Sequence, residues 1–186
     1  MEQTHENLRK YLLENNYVFI KNFIDKDRAI DISNQFNSAE KEQEYNNVNK
    51  TVLYNFKPCL ELLCEKTPLI SSILGEPVLP TYAYNRQYNN SARLKMHTDR
   101  GACEITLSVH LDSDKKHAWP LWIKTPKGED KSVIFESGDA VMYFGCITFH
   151  WRKYFQGDWY NQTMIHYVKS NGENSHRYFD LYDTSS

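Results

Sequence analysis

The sequence predicts a mainly β fold with flanking helices, an α+β jelly roll whose first 80 residues form a helical cover. Short runs of β-branched and aromatic residues recur after residue 81, with turn residues between them, as in sandwiches and barrels. One run, Ile105 to Leu111, alternates strictly between apolar and polar side chains, which is the period of a strand. Apolar spacing typical of helices occurs before residue 80.

The first 80 residues contain patterns for three helical regions and two strands. In order, these are a helix over 3–15, a strand over 17–20, a helix from Asp25 to about Phe36, a strand over 51–54 and helical pieces over 58–65 and 69–74. Asp25 is a suitable N-cap for the second helix. Pro68 is expected to interrupt the last region, and Gly75 to end it. Residues 37–50, rich in Asn, Glu and Lys, predict a solvated connection.

The β core is predicted from residue 81 onward. Its strands cover 82–88, 94–97, 104–111, 121–124, 132–135, 140–143 and 162–168. We find no internal repeat and no linker that would divide the chain. The sequence therefore predicts one domain over 1–186, with the cover and first strand in 1–80, the β core in 81–170 and a C-terminal tail in 171–186.

Composition and charge narrow the classes of function. With 186 residues, of which 40% are hydrophobic and 25% charged, the chain can bury a core without the help of disulfides or structural metal ions. The net charge of −2 gives no basic footprint for nucleic acid and no polybasic patch for a membrane. The four cysteines form no CxxC pair, the N-terminus is polar and acidic, and no apolar run approaches about 18 residues. We expect a cytoplasmic protein with free thiols and neither a nucleic-acid nor a membrane partner.

A candidate metal site begins with His97 and Asp99 at the end of a predicted strand. Side chains two positions apart in a strand point to the same side, so an imidazole nitrogen and a carboxylate oxygen can reach one ion. His150 is the best candidate for a third ligand. Two histidines and one carboxylate with open positions are the ligand set of non-haem Fe(II) oxygenases.

A second His-x-Asp pair, His110 and Asp112, differs from the first in its context. His110 lies within a regular alternating strand, whose polar side faces either water or a cavity. His97 and Asp99 follow a strand end, where an open metal site can form. The alternative for His97 is a surface histidine at that strand end, and the alternative for His150 is a half-buried histidine beside a tryptophan.

Four short motifs follow one another in the second half of the chain. They are Tyr84-x-Arg86-x-Tyr88, His97-x-Asp99, Gly138-Asp139 and His150-Trp151-Arg152. This ordered set, over roughly residues 78–170, resembles the Fe(II)/2-oxoglutarate-dependent oxygenases of the prolyl-4-hydroxylase-like and phytanoyl-type branch. The resemblance implies a double-stranded β-helix, which agrees with the jelly roll predicted above. It also implies Fe(II) at His97, Asp99 and His150, with 2-oxoglutarate and O2 as cosubstrates of a hydroxylation that releases succinate and CO2.

The distal carboxylate of 2-oxoglutarate requires a cation, ideally a guanidinium. The resemblance implies Arg or Lys about ten positions after the second histidine, but residues 159–162 contain no basic side chain. Arg152 is therefore the first candidate, with Tyr88, His110 and Gln162 as hydrogen-bonding partners. The alternatives to Arg152 are Arg86, Lys95 and Arg100. In the competing interpretation Arg152 is a surface cation stacked on an aromatic ring.

Further side chains are candidates for contact with the substrate or cosubstrate. Gln162, Met164 and His166 share one face of the last predicted strand, and by analogy that face looks into the barrel. For His166 the alternative is a buried, hydrogen-bonded histidine. The four tryptophans are candidates for the mouth of the site, with core packing as the alternative: Trp119, Trp122, Trp151 and Trp159.

Three functions are compatible with these patterns. The first is a hydroxylase acting on a prolyl residue or a small molecule, with a peptide or small molecule as its partner. The second is a cupin-like metalloenzyme that uses the same ligands without 2-oxoglutarate. The third is a non-catalytic jelly-roll module that binds sugar or peptide, for which neither tight metal binding nor an effect of 2-oxoglutarate is expected.

Overall fold

The computed structural model describes residues 3–40, 42–43 and 50–179. These residues form three α-helices and eleven strands. The helices are α1 (His5–Asn15), α2 (Lys26–Ser38) and α3 (Lys57–Leu74). The strands are β1 (Tyr17–Ile20), β2 (Glu42–Gln43), β3 (Lys50–Tyr54), β4 (Val78–Asn89), β5 (Leu94–His97), β6 (Ile105–Ser113), β7 (Leu121–Lys124), β8 (Asp130–Val133), β9 (Ala140–Tyr143), β10 (His150–Arg152) and β11 (Trp159–Lys169). None of the described helices is long and apolar enough to cross a membrane.

The strands form two antiparallel sheets. The large sheet has the order β1-β9-β6-β11-β4-β3-β2, and the small sheet has the order β5-β10-β7-β8. From β4 to β11 the chain passes repeatedly between the two sheets, which is the path of a jelly roll. The predicted fold class is therefore confirmed. The first 80 residues contribute β1, β2 and β3 to the large sheet in addition to the helices.

Alternation along β6 separates the apolar core from the polar interior. Ile105, Leu107, Val109 and Leu111 join the cluster that packs under the helices, where α2 contacts β6 and α3 contacts β4 and β11. The intervening residues, among them Ser108, point to the opposite side, between the two sheets. The polar face of this strand therefore lines a cavity, one of the two environments predicted for it.

The N-terminal elements follow their predicted bounds closely. The first helix spans His5–Asn15 and the first strand Tyr17–Ile20. Asp25 caps α2, since its carboxylate accepts hydrogen bonds from the backbone N–H groups of residues 27 and 28. Half of the solvated connection predicted over 37–50 lies outside the described residues. In the described half, residues 37–38 form the end of α2 and residues 42–43 pair with β3, so these positions are not an unstructured connection.

The structure corrects two predictions of secondary structure. Residues 57–74 form one continuous helix, although Pro68 was expected to interrupt it. Buried residues on both sides of the proline, Leu63 and Ile70 among them, pack in the same core cluster. Burying such a face stabilises the helix by more than the roughly 3 kcal/mol that an internal proline costs. The second correction is β10, a short strand that the sequence analysis did not predict.

We expect Pro68→Ala to raise the free energy of unfolding by about 1–2 kcal/mol. Alanine restores a helical N–H, and the gain exceeds the smaller entropic advantage that proline confers through the unfolded state. The ring is exposed, so its removal costs little packing. Urea unfolding measures the change. Pro58→Ala, in the first turn where proline is tolerated, serves as the control and should change stability by less; destabilisation by Pro68→Ala would contradict the argument.

Candidate metal centre

The pairing of β5 with β10 brings the predicted ligands together. His150 lies directly opposite His97 in this pairing, and Asp99 follows two residues after His97. The Nε2 atoms of His97 and His150 lie 3.5 Å and 3.6 Å from Asp99 Oδ1. The three ligand atoms lie within 4.8 Å of one another. A single ion placed between the three atoms can therefore be reached by all of them.

Backbone carbonyls orient both imidazoles. His97 Nδ1 lies 2.8 Å from the carbonyl oxygen of Lys95, and His150 Nδ1 lies 3.0 Å from that of Thr148. A carbonyl only accepts, so each Nδ1 donates and each neutral ring keeps its lone pair on Nε2. Both lone pairs are therefore available to a metal. This is the usual arrangement of metal-binding histidines.

The charges of the three groups suit a cation. Burial lowers the pKa of His150, which favours its neutral, ligating form. Burial also acts against protonation of His97, but hydrogen bonds to Asp99 and to the Lys95 carbonyl outweigh it and raise the pKa of that imidazole. Although burial opposes ionisation of Asp99, the hydrogen bond with His97 and the neighbouring imidazoles lower the pKa of its carboxyl group. A metal ion would take the position of the proton shared within this cluster.

The second carboxylate oxygen of Asp99 is held by residues that the sequence analysis did not select. Thr106 Oγ1 donates to Asp99 Oδ2 over 3.1 Å. The backbone N–H of Asp99 donates to the carbonyl of Gly145 over 2.8 Å. A Cβ atom at Gly145 would lie 2.1 Å from the Cys103 carbonyl oxygen and 2.7 Å from Asp99 Oδ2. Thr106 belongs to the polar face of β6, a signal present in the sequence, whereas the need for glycine at 145 follows from three-dimensional packing.

We expect Gly145→Ala to lower metal affinity by about 10–100-fold, the range seen when partners of metal ligands are removed. The added methyl group must displace either the backbone at Cys103 or the Asp99 carboxylate. Titration with Ni(II), followed by calorimetry, measures the loss. Gly128→Ala is the control: it strains a turn at φ +80 but meets nothing within 4 Å, so it should lower stability and leave metal affinity unchanged. Wild-type affinity in Gly145→Ala would contradict the prediction.

A second set of metal-binding side chains shares Asp99. It consists of Asp99, Cys103 and His166. Burial raises the pKa of the Cys103 thiol to about 12, so the sulfur remains protonated at neutral pH. The thiol also forms a 3.0 Å hydrogen bond with the hydroxyl of Tyr82. The set with His97 and His150 is therefore the better metal site.

A cavity of about 310 Å³ opens beside the metal centre, between the two sheets. The side chains of Tyr88 and Gln162, both predicted cosubstrate contacts, line it. Its lining also includes Tyr54, Tyr82, Tyr84, Arg86, Arg100, Ser108, Met164 and His166. The inward face predicted for Gln162, Met164 and His166 is therefore correct. We call this space the metal-site cavity.

Arg152 is buried behind the wall of this cavity. It follows His150 by two positions on β10, so both side chains point inward, and it is 1% exposed. Its Nη2 donates to Gln162 Oε1 over 3.0 Å, and its Nη1 donates to the Trp119 carbonyl. The guanidinium lies over the rings of Trp119 and Tyr160, with centroids at 4.6 Å and 4.9 Å. The interpretation of Arg152 as a surface cation is therefore wrong.

The partners of Arg152 are all neutral among the residues that the structure describes. They are carbonyl, amide and phenol oxygens, and no described carboxylate forms an ion pair with the guanidinium. A buried cation without a counter-ion is costly, which indicates a site for an anion. Of the alternatives to Arg152, Arg86 and Arg100 line the metal-site cavity, and Lys95 is exposed to solvent.

His110 occupies a different cavity from the other predicted cosubstrate contacts. It is 5% exposed, stacks on Tyr160 with ring centroids 4.3 Å apart, and its Nδ1 donates to the carbonyl of Phe135 over 2.9 Å. Burial lowers its pKa to about 4, so the ring is neutral. Its neighbour Asp112 interacts with Ser137 and Lys115 rather than with a ligand set. Within the described residues, this second His-x-Asp pair belongs to no metal-binding group.

Four of the remaining candidate residues pack against other side chains or hydrogen-bond to the backbone. Trp119 packs among Tyr88, Phe155 and Tyr160, so its side chain belongs to the core. Trp122 and Trp151 stack on the outer face of the small sheet, with ring centroids 6.1 Å apart. Asp139, in the Gly138-Asp139 motif, accepts hydrogen bonds from the backbone of residues 22 and 136 and so fixes the turn before β9.

Comparison with known proteins identifies the fold. No family model and no curated protein matches the sequence. A 2OG-Fe(II) oxygenase family protein from Burkholderia pseudomallei matches with a TM-score of 0.77 and 12% identity, covering 96% of this chain and 95% of that one. A prolyl-4-hydroxylase from Pseudomonas putida matches with a TM-score of 0.74 and 12% identity, covering 89% and 99% of the two chains. HygX from Streptomyces hygroscopicus, solved with nickel and 2-oxoglutarate, matches with a TM-score of 0.74 and 8% identity, covering 92% and 88%. At such identities the likeness establishes a shared fold.

Proposed function

We propose that this protein is an Fe(II)- and 2-oxoglutarate-dependent dioxygenase, and specifically a hydroxylase. The observation that carries the proposal is one arrangement of side chains. His97, Asp99 and His150 converge at the edge of a cavity, and the buried guanidinium of Arg152 lies behind its wall. Neutral imidazoles and a carboxylate fit Fe(II), and a dicarboxylate requires a cation some distance from the metal.

The three ligands would hold Fe(II) on one side and leave the side toward the metal-site cavity open. Bound there, Fe(II) with 2-oxoglutarate supplies the means to activate O2 and oxidise a C–H bond. The protein's own contribution is to fix both imidazoles through Lys95 and Thr148, and to hold the free oxygen of Asp99 through Thr106. This fixed geometry avoids reorganisation of the ligands during reaction.

Arg152, Gln162 and Tyr88 would receive the distal carboxylate of 2-oxoglutarate. Gln162 Oε1 accepts from Arg152, and the amide Nε2 donates to the hydroxyl of Tyr88 over 3.4 Å and to Met164 Sδ over 2.9 Å. An incoming carboxylate would replace Met164 Sδ, a weak acceptor, at the Gln162 amide and would also accept from the Tyr88 hydroxyl. The adjacent guanidinium would strengthen the interaction through its charge. Because His110 lines the other cavity, it has no part in this proposal.

The buried Arg152 favours the oxygenase over the two competing functions. A cupin-like metalloenzyme without 2-oxoglutarate has no need of a cation behind the cavity. A sugar- or peptide-binding module has no need of the three converging ligands. The structural neighbours include an epimerase and a carbocyclase as well as a prolyl-4-hydroxylase, so hydroxylation of a prolyl residue or small molecule is itself part of the proposal.

Succinate formation tests the proposal directly. The protein is loaded with Fe(II) without oxygen, then given 2-oxoglutarate and O2, and succinate is quantified by NMR. Slow turnover without substrate is expected, and it should require metal, O2 and 2-oxoglutarate together. His97→Ala provides the background, while His176→Ala, at an exposed histidine, is the matched control. The proposal fails if the wild-type protein produces no more succinate than His97→Ala.

A further inference from the structure

His166 lies on the inward face of β11 and lines the metal-site cavity. Its side chain is packed against the ring of Tyr82, with centroids 4.6 Å apart, and only 4% of the residue is exposed. Burial lowers its pKa to about 4, so the imidazole is neutral at neutral pH. A neutral imidazole has one N–H donor and one acceptor nitrogen, and their assignment determines what the ring offers to a ligand.

The hydroxyl of Thr106 determines this assignment. Its oxygen lies 2.9 Å from His166 Nδ1, 3.1 Å from Asp99 Oδ2 and 3.2 Å from the carbonyl oxygen of Cys103. Thr106 has one proton to donate, and both oxygens can only accept. The carboxylate is the strongest of these acceptors because it is charged. With the hydroxyl proton directed to Asp99, His166 Nδ1 must be the donor to Thr106.

The remaining nitrogen, His166 Nε2, then carries a lone pair. It forms no hydrogen bond with the residues that the structure describes, and protein atoms do not enclose it. The side chain lines the metal-site cavity, so this acceptor faces the space where a substrate would approach the metal. An acceptor in such a position takes its proton donor from water or from a ligand in the cavity.

We propose that His166 orients the substrate by accepting, at Nε2, a hydrogen bond from a hydroxyl or amino group of that substrate. The inference rests on the proposed function. It extends the proposed function by naming a residue that determines specificity and the chemical class of substrate that this residue recognises. His166 Nδ1–H donates to Thr106, and the Thr106 hydroxyl donates to Asp99 Oδ2. These two hydrogen bonds fix Nε2 as the acceptor and couple the orientation of the ring to a metal ligand.

The size of the cavity limits the group that reaches His166. About 310 Å³ is at the lower end of the range for ligand pockets, and cosubstrate and substrate must share it. The reacting part of the substrate is therefore small, with its hydroxyl or amino group close to the carbon that is oxidised. A site built to accept such a donor rejects the analogue that lacks it by about 10⁴-fold when the acceptor is left unpaired.

The tautomer of His166 is the first test, and it needs no substrate. Protein with ¹⁵N-labelled histidine is loaded with Zn(II) and 2-oxoglutarate, and two-bond ¹H–¹⁵N NMR distinguishes the protonated nitrogen. The Nδ1–H tautomer is expected for His166 in the wild type and in Thr106→Ser, which keeps the hydroxyl. Thr106→Val should lose this preference. The exposed His176 is the internal reference. An Nε2–H tautomer in the wild type would overturn the proposal.

Binding of donor compounds is the second test. Small alcohols are compared with their methyl ethers, and small amines with their trimethylammonium forms, by the shift of the His166 Nε2 resonance and by succinate release. Donor compounds that bind should shift this resonance. Methylation should raise at least tenfold the concentration needed for the same shift or the same succinate release. His166→Gln, which keeps an acceptor, should retain part of the response that His166→Phe loses. The proposal would be overturned if methylated compounds gave the same response as the donor compounds, or if His166→Phe responded like the wild type.

The two tests separate this inference from the proposed function. The tautomer is measured on the zinc-loaded protein, where no turnover occurs. An Nδ1–H tautomer together with absent succinate formation in the iron-loaded wild type would refute the oxygenase, while leaving the acceptor in place. Succinate formation together with an Nε2–H tautomer would refute the role of His166 alone.

Discussion

Replacing His150 with alanine is expected to lower metal affinity by roughly 100-fold or more and to reduce succinate formation to background. Removing a residue that hydrogen-bonds to a metal ligand already lowers metal affinity by about 10–100-fold, and removing a ligand itself lowers it further. His150 is 2% exposed and lies opposite His97, and no other described side chain forms a metal-binding set with both His97 and Asp99. Only His97 and Asp99 would remain at this centre.

Competition between the protein and a metal indicator measures this loss for Ni(II) and Fe(II). Asp99→Asn is the isosteric companion, because it keeps the shape of the side chain near Thr106 while removing the charge. It should also bind metal poorly. His176→Ala should retain wild-type affinity. Thermal unfolding without metal establishes that each variant is folded. Wild-type affinity in His150→Ala would exclude this histidine from the site.

Replacing Arg152 with alanine is expected to raise the 2-oxoglutarate concentration needed for half-maximal turnover by roughly 30-fold or more. Removing one partner of a buried charged pair costs about 2–5 kcal/mol, and 2 kcal/mol corresponds to about 30-fold. Arg152→Lys keeps the charge without the planar fork, so its affinity for 2-oxoglutarate should be intermediate. Metal affinity should remain close to that of the wild type, because Arg152 contacts none of the three ligands through a hydrogen bond.

Calorimetric titration of the nickel-loaded protein with 2-oxoglutarate measures the effect of Arg152 without turnover. Arg152→Met maintains most of the side-chain volume, which separates loss of charge from loss of packing among the aromatic rings. Arg93→Ala is the matched control, since this guanidinium also stacks on a ring, that of Tyr154, but lies at the exposed surface. Unchanged 2-oxoglutarate affinity in Arg152→Ala and Arg152→Met would show that another cation binds the distal carboxylate, and Arg86 would be the next to test.

The sequence was sufficient for features that depend on local periodicity. Alternation along β6 predicted its apolar face and its polar face, and the structure places the polar face along a cavity. The two-residue spacing of His97 and Asp99 predicted that their side chains lie close together, because side chains two positions apart in a strand point to the same side. The fold class follows from the same kind of pattern, since short strands of regular spacing bury one face only when they pack as two sheets.

Tertiary structure decided the features that depend on distant pairing and burial. The register of β5 with β10 places His150 opposite His97, and no local pattern encodes a partner about fifty positions away. The burial of Arg152 results from the inward direction of β10, a strand whose three residues carry too little periodicity to be predicted. Pro68 remains inside α3 because core packing outweighs a local preference. Side-chain direction is local and can be read from the sequence, whereas proximity between distant residues arises only when the chain has folded.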